Sequence, residues 1–231
     1  PTPGDLDRIQ ARHVLRVITR LDPGNYFVTD GRPAGFEFEL VRDFARELGL
    51  NLEVLVAESD AEVLEWLRLG VGDIATTRVS DRIVRADPAL TQSRQYHFAP
   101  VVLVQPGRTR PAPLTGKRIG VRMGSMAHRT LGELVANGLH CETHLTPATA
   151  SLQALATEFE RGAIDAALVE AHHLAELREF APTLVAGATV PSPFQYNWTL
   201  RASNPALRDR IDAYLERNLR EARVAALASR H

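Results

Sequence analysis

Short apolar runs alternate with longer stretches in which apolar residues recur every three or four positions, from Leu15 through to Leu219. A chain that keeps switching between these two periods packs helices against the faces of β-sheets, which makes it an α/β protein. The run Leu15–Thr19 (LRVIT) reads as a buried strand, and a turn-rich loop, Asp22 to Gly35, follows it. From Glu37 to Leu48, Leu40, Val41, Phe44, Ala45 and Leu48 share one helical face, and Glu39, Arg42, Asp43, Arg46 and Glu47 share the other. Gly49 stands where a helix end needs a positive φ. Leu52–Val56 is the next strand, and Ser59 with Glu62 forms a capping-box pattern for a helix to Leu69.

Asp73–Thr76 reads as a short strand end, and the apolar run His97–Val104 leads to a proline-rich boundary, Arg108–Leu114. A second α/β set follows. Its strands are Arg118–Val121 and Ala166–Val169. Its helices are Ser125–Ala136, Ser151–Arg161 and Ala171–Glu179, and Leu152, Leu155, Ala156 and Phe159 are inward on the second of these. Tyr196–Leu200 is a last strand. Asn204-Pro205 gives an N-cap and N1 pair for a closing helix carrying Leu207, Ile211, Tyr214, Leu215 and Leu219. One internal echo stands out: helix, Gly70-x-x-Asp73, strand in the first half, and helix, Gly162-x-x-Asp165, strand in the second. Two similar α/β lobes would produce it; so would chance, since Gly after a helix is common.

Composition excludes some classes. The net charge is −1 with Lys and Arg spread along the chain, so there is no basic footprint for nucleic acid. Nothing approaches the ~18 consecutive apolar residues of a membrane-spanning helix. No signal-peptide pattern opens the sequence, as expected of a mature or trimmed chain. Cys141 is the single cysteine, so no internal disulfide forms.

With the elements placed, an ordered set of motifs resembles the periplasmic solute-binding proteins for polar amino acids (family 3). Arg12–Thr19 (RHVLRVIT) is similar to that family's opening strand, and Asp30–Glu37 (DGRPAGFE) to its "DGxxxGFD/E" element. Asp81-Arg82 resembles the end of "TxTxER", Gly120–Ser125 (GVRMGS) resembles "GVxxGT/S", and Gly162–Glu170 resembles "GxxDAxxxD". The stretch GFEFELVRDFARELGL further resembles the regulatory N-terminal module of membrane-bound lytic murein transglycosylases of the F type. Ala222–His231 resembles the segment leading into their catalytic domain.

The resemblance implies an α/β, two-lobed type II periplasmic binding protein fold (a Venus flytrap), each lobe a mixed sheet flanked by helices. Lobe one is expected at 1–104 plus 196–231 and lobe two at 105–195, with crossovers near Val104-Gln105 and Gln195-Tyr196. It implies a secreted, periplasmic monomer without cofactor or catalysis that closes on an amino-acid-like or short peptide ligand, a muropeptide included. Its partners would be an ABC permease, or an attached catalytic or signalling domain in a membrane-anchored parent.

The same resemblance selects the candidate ligand-binding residues. Arg82, five residues after Thr77, would grip the ligand carboxylate, since a guanidinium fork makes two parallel charge-assisted hydrogen bonds. Thr76 adjoins this pair. The segment Asp73–Thr77 is about three residues shorter than the family's, so Arg78 and Arg85 stay as alternatives. Gly124, Ser125 and Met126 open a helix whose free N–H groups would take the other side of the carboxylate; the plain alternative is a serine N-cap. Arg122 matches a position that often contacts the ligand side chain, and Tyr26 an aromatic wall. Glu170 would accept the ligand ammonium; its plain alternative is an acidic residue at a helix start. A rival reading makes Glu170 the acid of a dehydratase-type enzyme acting on a small cyclic carboxylic acid. His140-Cys141-x-x-His144 carries metal-like letters without enough ligands for zinc, and His172-His173 reads as a solvated helix start. Gly124-Ser125 lacks the spacing of a nucleophile elbow, and Gly116-Lys117 lacks the rest of a P-loop.

Overall fold

The computed structural model describes residues 4–21, 26–29, 31–77, 79–97, 100–107, 113–147, 150–192, 194–221 and 223–224. Asp30, Arg78, Phe98, the residues 108–112 of the proline-rich boundary, and Ala222 with 225–231 lie outside the described residues. The chain begins with α1 (Leu6–Ala11), β1 (Val14–Thr19), β2 (Phe27–Thr29), β3 (Arg32–Ala34), α2 (Phe36–Glu47) and β4 (Asn51–Val56). Next come α3 (Asp60–Leu69), β5 (Ile74–Ala75), α4 (Asp81–Ala86), β6 (Leu90–Gln92), β7 (Val101–Pro106) and β8 (Arg118–Arg122). Then follow α5 (Met126–Ala136), β9 (Glu142–Thr146), α6 (Leu152–Glu160) and β10 (Ala166–Glu170). A 3₁₀ turn (Ala171–His173) leads to α7 (Leu174–Phe180), β11 (Leu184–Val190), β12 (Thr199–Arg201) and α8 (Pro205–Arg220).

These elements form two units, Pro1–Phe98 with Gln195–His231, and Ala99–Phe194. The first holds a five-stranded sheet in the order β4-β1-β5-β12-β6, and the second one in the order β11-β7-β10-β8-β9. Each sheet has the same plan. In the first, β1 runs parallel to β4 and β5, and β12 is antiparallel to β5 and β6. In the second, β8 runs parallel to β9 and β10, and β7 is antiparallel to β10 and β11. Strand β7 therefore belongs to the second sheet, so the sequence-based crossover after Val104 is placed too late. The run is buried at Val101–Gln105, and an apolar run buried on both faces carries no period that says which sheet it joins.

The echoed Gly-x-x-Asp motifs have one physical cause. Gly70 and Gly162 end α3 and follow α6 with φ of 72° and 65°, the left-handed region that favours glycine. Three residues on, Asp73 donates its N–H to Arg16 O and accepts from Arg16 N, both at 2.8 Å. Asp165 does the same to Arg118, at 2.8 and 2.9 Å. Each aspartate thus ties the start of its own strand, the central one of its sheet, to the parallel neighbour β1 or β8. Asp73 is fully buried beside Arg12, Arg16 and Arg201. Arg201 in turn donates from Nη1 to Leu67 O (2.9 Å) and Gly72 O (2.7 Å).

Helix α2 buries Phe36, Glu37, Leu40, Val41, Phe44 and Ala45. Its core partners are aromatic: Phe44 packs on Trp198 and Tyr214 with ring centroids 5.6 and 5.0 Å apart. Buried Glu37 is satisfied there, accepting from Tyr96 Oη (2.5 Å) and Trp198 Nε1 (3.0 Å). In α3, Ser59 Oγ accepts from Glu62 N at 3.1 Å, as the capping pattern predicts, while the Glu62 carboxylate reaches back to Glu58 N at 2.7 Å. The expected Asn204 side-chain cap is not made. Asp5 caps α8 instead, accepting from Ala206 N and Leu207 N at 2.9 Å each, while Asn204 turns to Gly4 O and Arg201. In the second unit Val102, Val104, Leu155, Ile164, Ala167 and Val169 form the core, with Leu152 and Ala156 buried and Phe159 partly buried, as the helix pattern predicts.

Candidate ligand-binding site

In open α/β sheets, ligands sit outside the carboxyl ends of the parallel strands. Those ends carry the candidate residues in both units.

In the first unit the rim is made by Thr19 at the end of β1 and by Thr76 and Thr77 just beyond β5. Thr76 and Thr19 are buried, with their hydroxyls 3.4 Å apart. A small depression opens here, lined by Val17, Thr19, Tyr26, Phe38, Val41, Val54 and Thr76. Tyr26 lies on it, its ring edge-on to Phe38 at 5.6 Å. Thr77 is fully buried and Ser80 nearly so, and among the described residues the hydroxyl oxygens of both, with Asp81 Oδ1, have no hydrogen-bond partner. Buried polar atoms are almost always paired, so three in one five-residue segment call for an explanation. Arg82 follows at once, exposed on the first turn of α4, and Arg85 is exposed one turn on. Asn197 Oδ1 is also buried and without a partner among the described residues; it lies two residues before β12, which runs antiparallel to β5. No sequence motif marks Ser80 or Asn197, because their burial arises only when the sheet forms.

In the second unit β8 ends at Arg122, and Met123 N donates to Thr146 O at 2.9 Å. Gly124, with φ of 79°, turns the chain so that Ser125 becomes the N-cap of α5. The N–H groups expected to receive a ligand carboxylate are already taken. Met126 N and Ala127 N donate to Glu170 Oε1 at 2.7 and 3.3 Å. His128 N donates to Ser125 Oγ at 3.0 Å, Gly124 N to His128 Nδ1 at 3.2 Å, and Ser125 N to Arg122 O at 3.2 Å. Met126 is 1% exposed, its sulfur 3.8 Å from Ser192 Oγ.

Glu170 is therefore reassigned. It does end the buried run of β10, as its position predicts, but its carboxylate points into its own lobe rather than to solvent. Oε1 closes α5, and Oε2 lies 3.3 Å from His173 Nδ1. Burial alone would raise its pKa; the hydrogen bond and charge of His173, a backbone hydrogen bond and the charge of Arg122 outweigh that and hold it down at about 2. A carboxyl so held is ionised at neutral pH, with its oxygens on two amides and an imidazole, an arrangement that does not suit a proton donor. The glutamate side chain spans from the end of β10 to the first turn of α5. His173 is likewise half-buried and paired, not a solvated helix start. His144 pairs with Glu158 at 3.2 Å, and burial pushes the Cys141 thiol up. Among the described residues no three His, Cys, Asp or Glu side chains group as a metal site.

Comparison with known proteins fits this frame. Residues 15–231 match the family described as bacterial extracellular solute-binding proteins, family 3. A membrane-bound lytic murein transglycosylase F from Pseudomonas putida (strain W619) is 28% identical over 239 residues, covering 99% of this chain and 48% of that protein. The chain thus spans about half the length of the curated relatives it matches. Among solved structures, a P235GK mutant of ArgBP from T. maritima superposes with a TM-score of 0.66 at 21% identity, covering 97% of both chains. The amino acid ABC transporter substrate-binding protein AbpA from Streptococcus pneumoniae, bound to L-arginine, gives 0.65 at 20% identity, covering 97% of this chain and 96% of that one. These likenesses carry the type II periplasmic binding fold. With two sheets of one plan and a family match over nearly its whole length, the chain belongs to the bacterial extracellular solute-binding proteins, family 3.

Proposed function

We propose that this chain is a non-catalytic, periplasmic binding module for a small amino-acid-like or short peptide ligand bearing a free carboxylate. The observation that carries the reading is the segment Thr77–Arg82, where buried Thr77 and Ser80 hydroxyls, without a partner among the described residues, sit just before an exposed guanidinium. Hydroxyl donors and an arginine fork are the chemistry a carboxylate needs. Tyr26 and Thr76 would line the wall beside them.

The transglycosylase relatives favour a peptide derived from murein as ligand, with the module regulating an attached catalytic domain. The solved transport proteins favour delivery to an ABC permease. A thermal-shift and calorimetry screen of amino acids and muropeptides tests the reading, because a ligand selective for the folded state raises its stability. Arg82→Ala is expected to weaken binding of any hit more than tenfold, and Arg85→Ala to leave it nearly unchanged. No stabilisation by any carboxylate in the panel, or the reverse order of the two variants, counts against it. The chain itself is expected to release no soluble sugar fragments from purified sacculi.

A further inference from the structure

Lobe two contains a carboxylate seat, and the chain fills it with its own side chain. The seat is the first turn of α5, an eleven-residue helix. Its occupant is buried on the adjacent strand end: Glu170 is 6% exposed. The geometry is that of a bound carboxylate, with one oxygen shared by Met126 N and Ala127 N and the other facing His173 Nδ1. The charge suits the helix start, where oriented N–H groups favour an anion. Every other N–H of the turn is spent inside the protein, on Ser125 Oγ, His128 Nδ1 and Arg122 O.

We infer that Glu170 is a specificity-determining residue, a built-in carboxylate that occupies the seat at the start of α5 and closes it to ligand carboxylates. Its second consequence follows from the same contacts. A carboxylate 6% exposed, with three of its about four acceptor positions spent on two amides and an imidazole, has little left to offer a ligand ammonium. The ligands selected are carboxylates whose amine is acylated or absent, held by their acid through lobe one. This consequence for ligand class rests on the binding reading above; occupation of the seat does not.

The test uses formate as a small free carboxylate, against chloride at matched ionic strength, on the whole chain. In Glu170→Ala, formate is expected to raise Tm saturably and to shift the Met126 and Ala127 amide resonances. In the wild type and in Glu170→Gln, whose amide still fills the seat, it is expected to do neither. A variant that folds only in formate gives the same support. If Glu170→Ala folds in neither salt, the wild-type amides decide: saturable shifts with formate overturn the inference, and silence upholds it. A folded Glu170→Ala that ignores formate overturns it too. The ligand arm compares a binding amino acid or peptide with its N-acetyl analogue on the wild type by calorimetry. Equal affinity, within about threefold, is expected, and a strong preference for the free amine overturns the ligand class. If nothing in the panel binds, the binding reading fails while the formate result stands.

Discussion

Replacing Glu170 by Gln tests how much of lobe two's stability rests on one buried charge. The amide keeps the shape and one acceptor oxygen, so Met126 N stays satisfied, but the charge facing His173 and Arg122 is lost. The folded carboxyl sits at about 2 against an ordinary 4.5. A displacement of that size corresponds to about 3 kcal/mol of stability. Because the folded value is depressed, that stability is fully present above about pH 4.5 and is lost as the pH falls towards 2. Asp165, held at about 2 chiefly by the Arg118 side chain, titrates over the same range, but equally in both proteins. Urea unfolding of wild type and variant at a series of pH values isolates the Glu170 part as the difference. The gap is expected to be about 3 kcal/mol near neutrality and to shrink steadily below about pH 4.5. A gap that stays constant from neutral pH to pH 3 refutes the reasoning, for it would mean that shape, not charge, does the holding.

Arg201→Leu removes a buried guanidinium from Leu67 O, Gly72 O and Asp73, and is expected to cost about 3–5 kcal/mol by urea unfolding. Asp5→Ala uncaps both α1 and α8; a loss of about 1–2 kcal/mol is expected, with faster hydrogen exchange at Ala206 and Leu207. Gly72→Ala would bring a Cβ to 2.3 Å from Ile18 Cγ1, whereas at Gly120 it meets the chain ends of Ile164 and Leu155 at 2.6 and 3.0 Å. The first is expected to lower Tm more than the second, since the tip of a side chain yields more easily than its stem.

Local patterns already wrote much of this protein. The period switches at Leu15–Thr19, Leu40–Leu48 and Ala166–Val169 placed strands and helices, because a period is a property of neighbouring residues. The Gly-x-x-Asp echo pointed to two lobes of one plan, since each motif is a local device: a left-handed glycine and a carboxylate that pins the neighbouring parallel strand. The positions of Thr77 and Glu170 at strand ends were legible for the same reason. Strands β6 and β11, the β2–β3 hairpin and α1 were not, as they are held by pairing and packing rather than by their own pattern. Which sheet takes β7 was equally invisible, because an apolar strand suits either. Only the tertiary structure decided the roles of the polar groups. Asp5 reaches α8 across about two hundred residues, and Asn204, beside the helix it was expected to cap, bonds elsewhere. Glu170 meets Met126 from a distant strand, and that meeting turns a residue placed to greet a ligand into one that fills the seat. A side chain's hydrogen-bond partners are set by what folding brings within about 3 Å, and sequence separation carries no record of that.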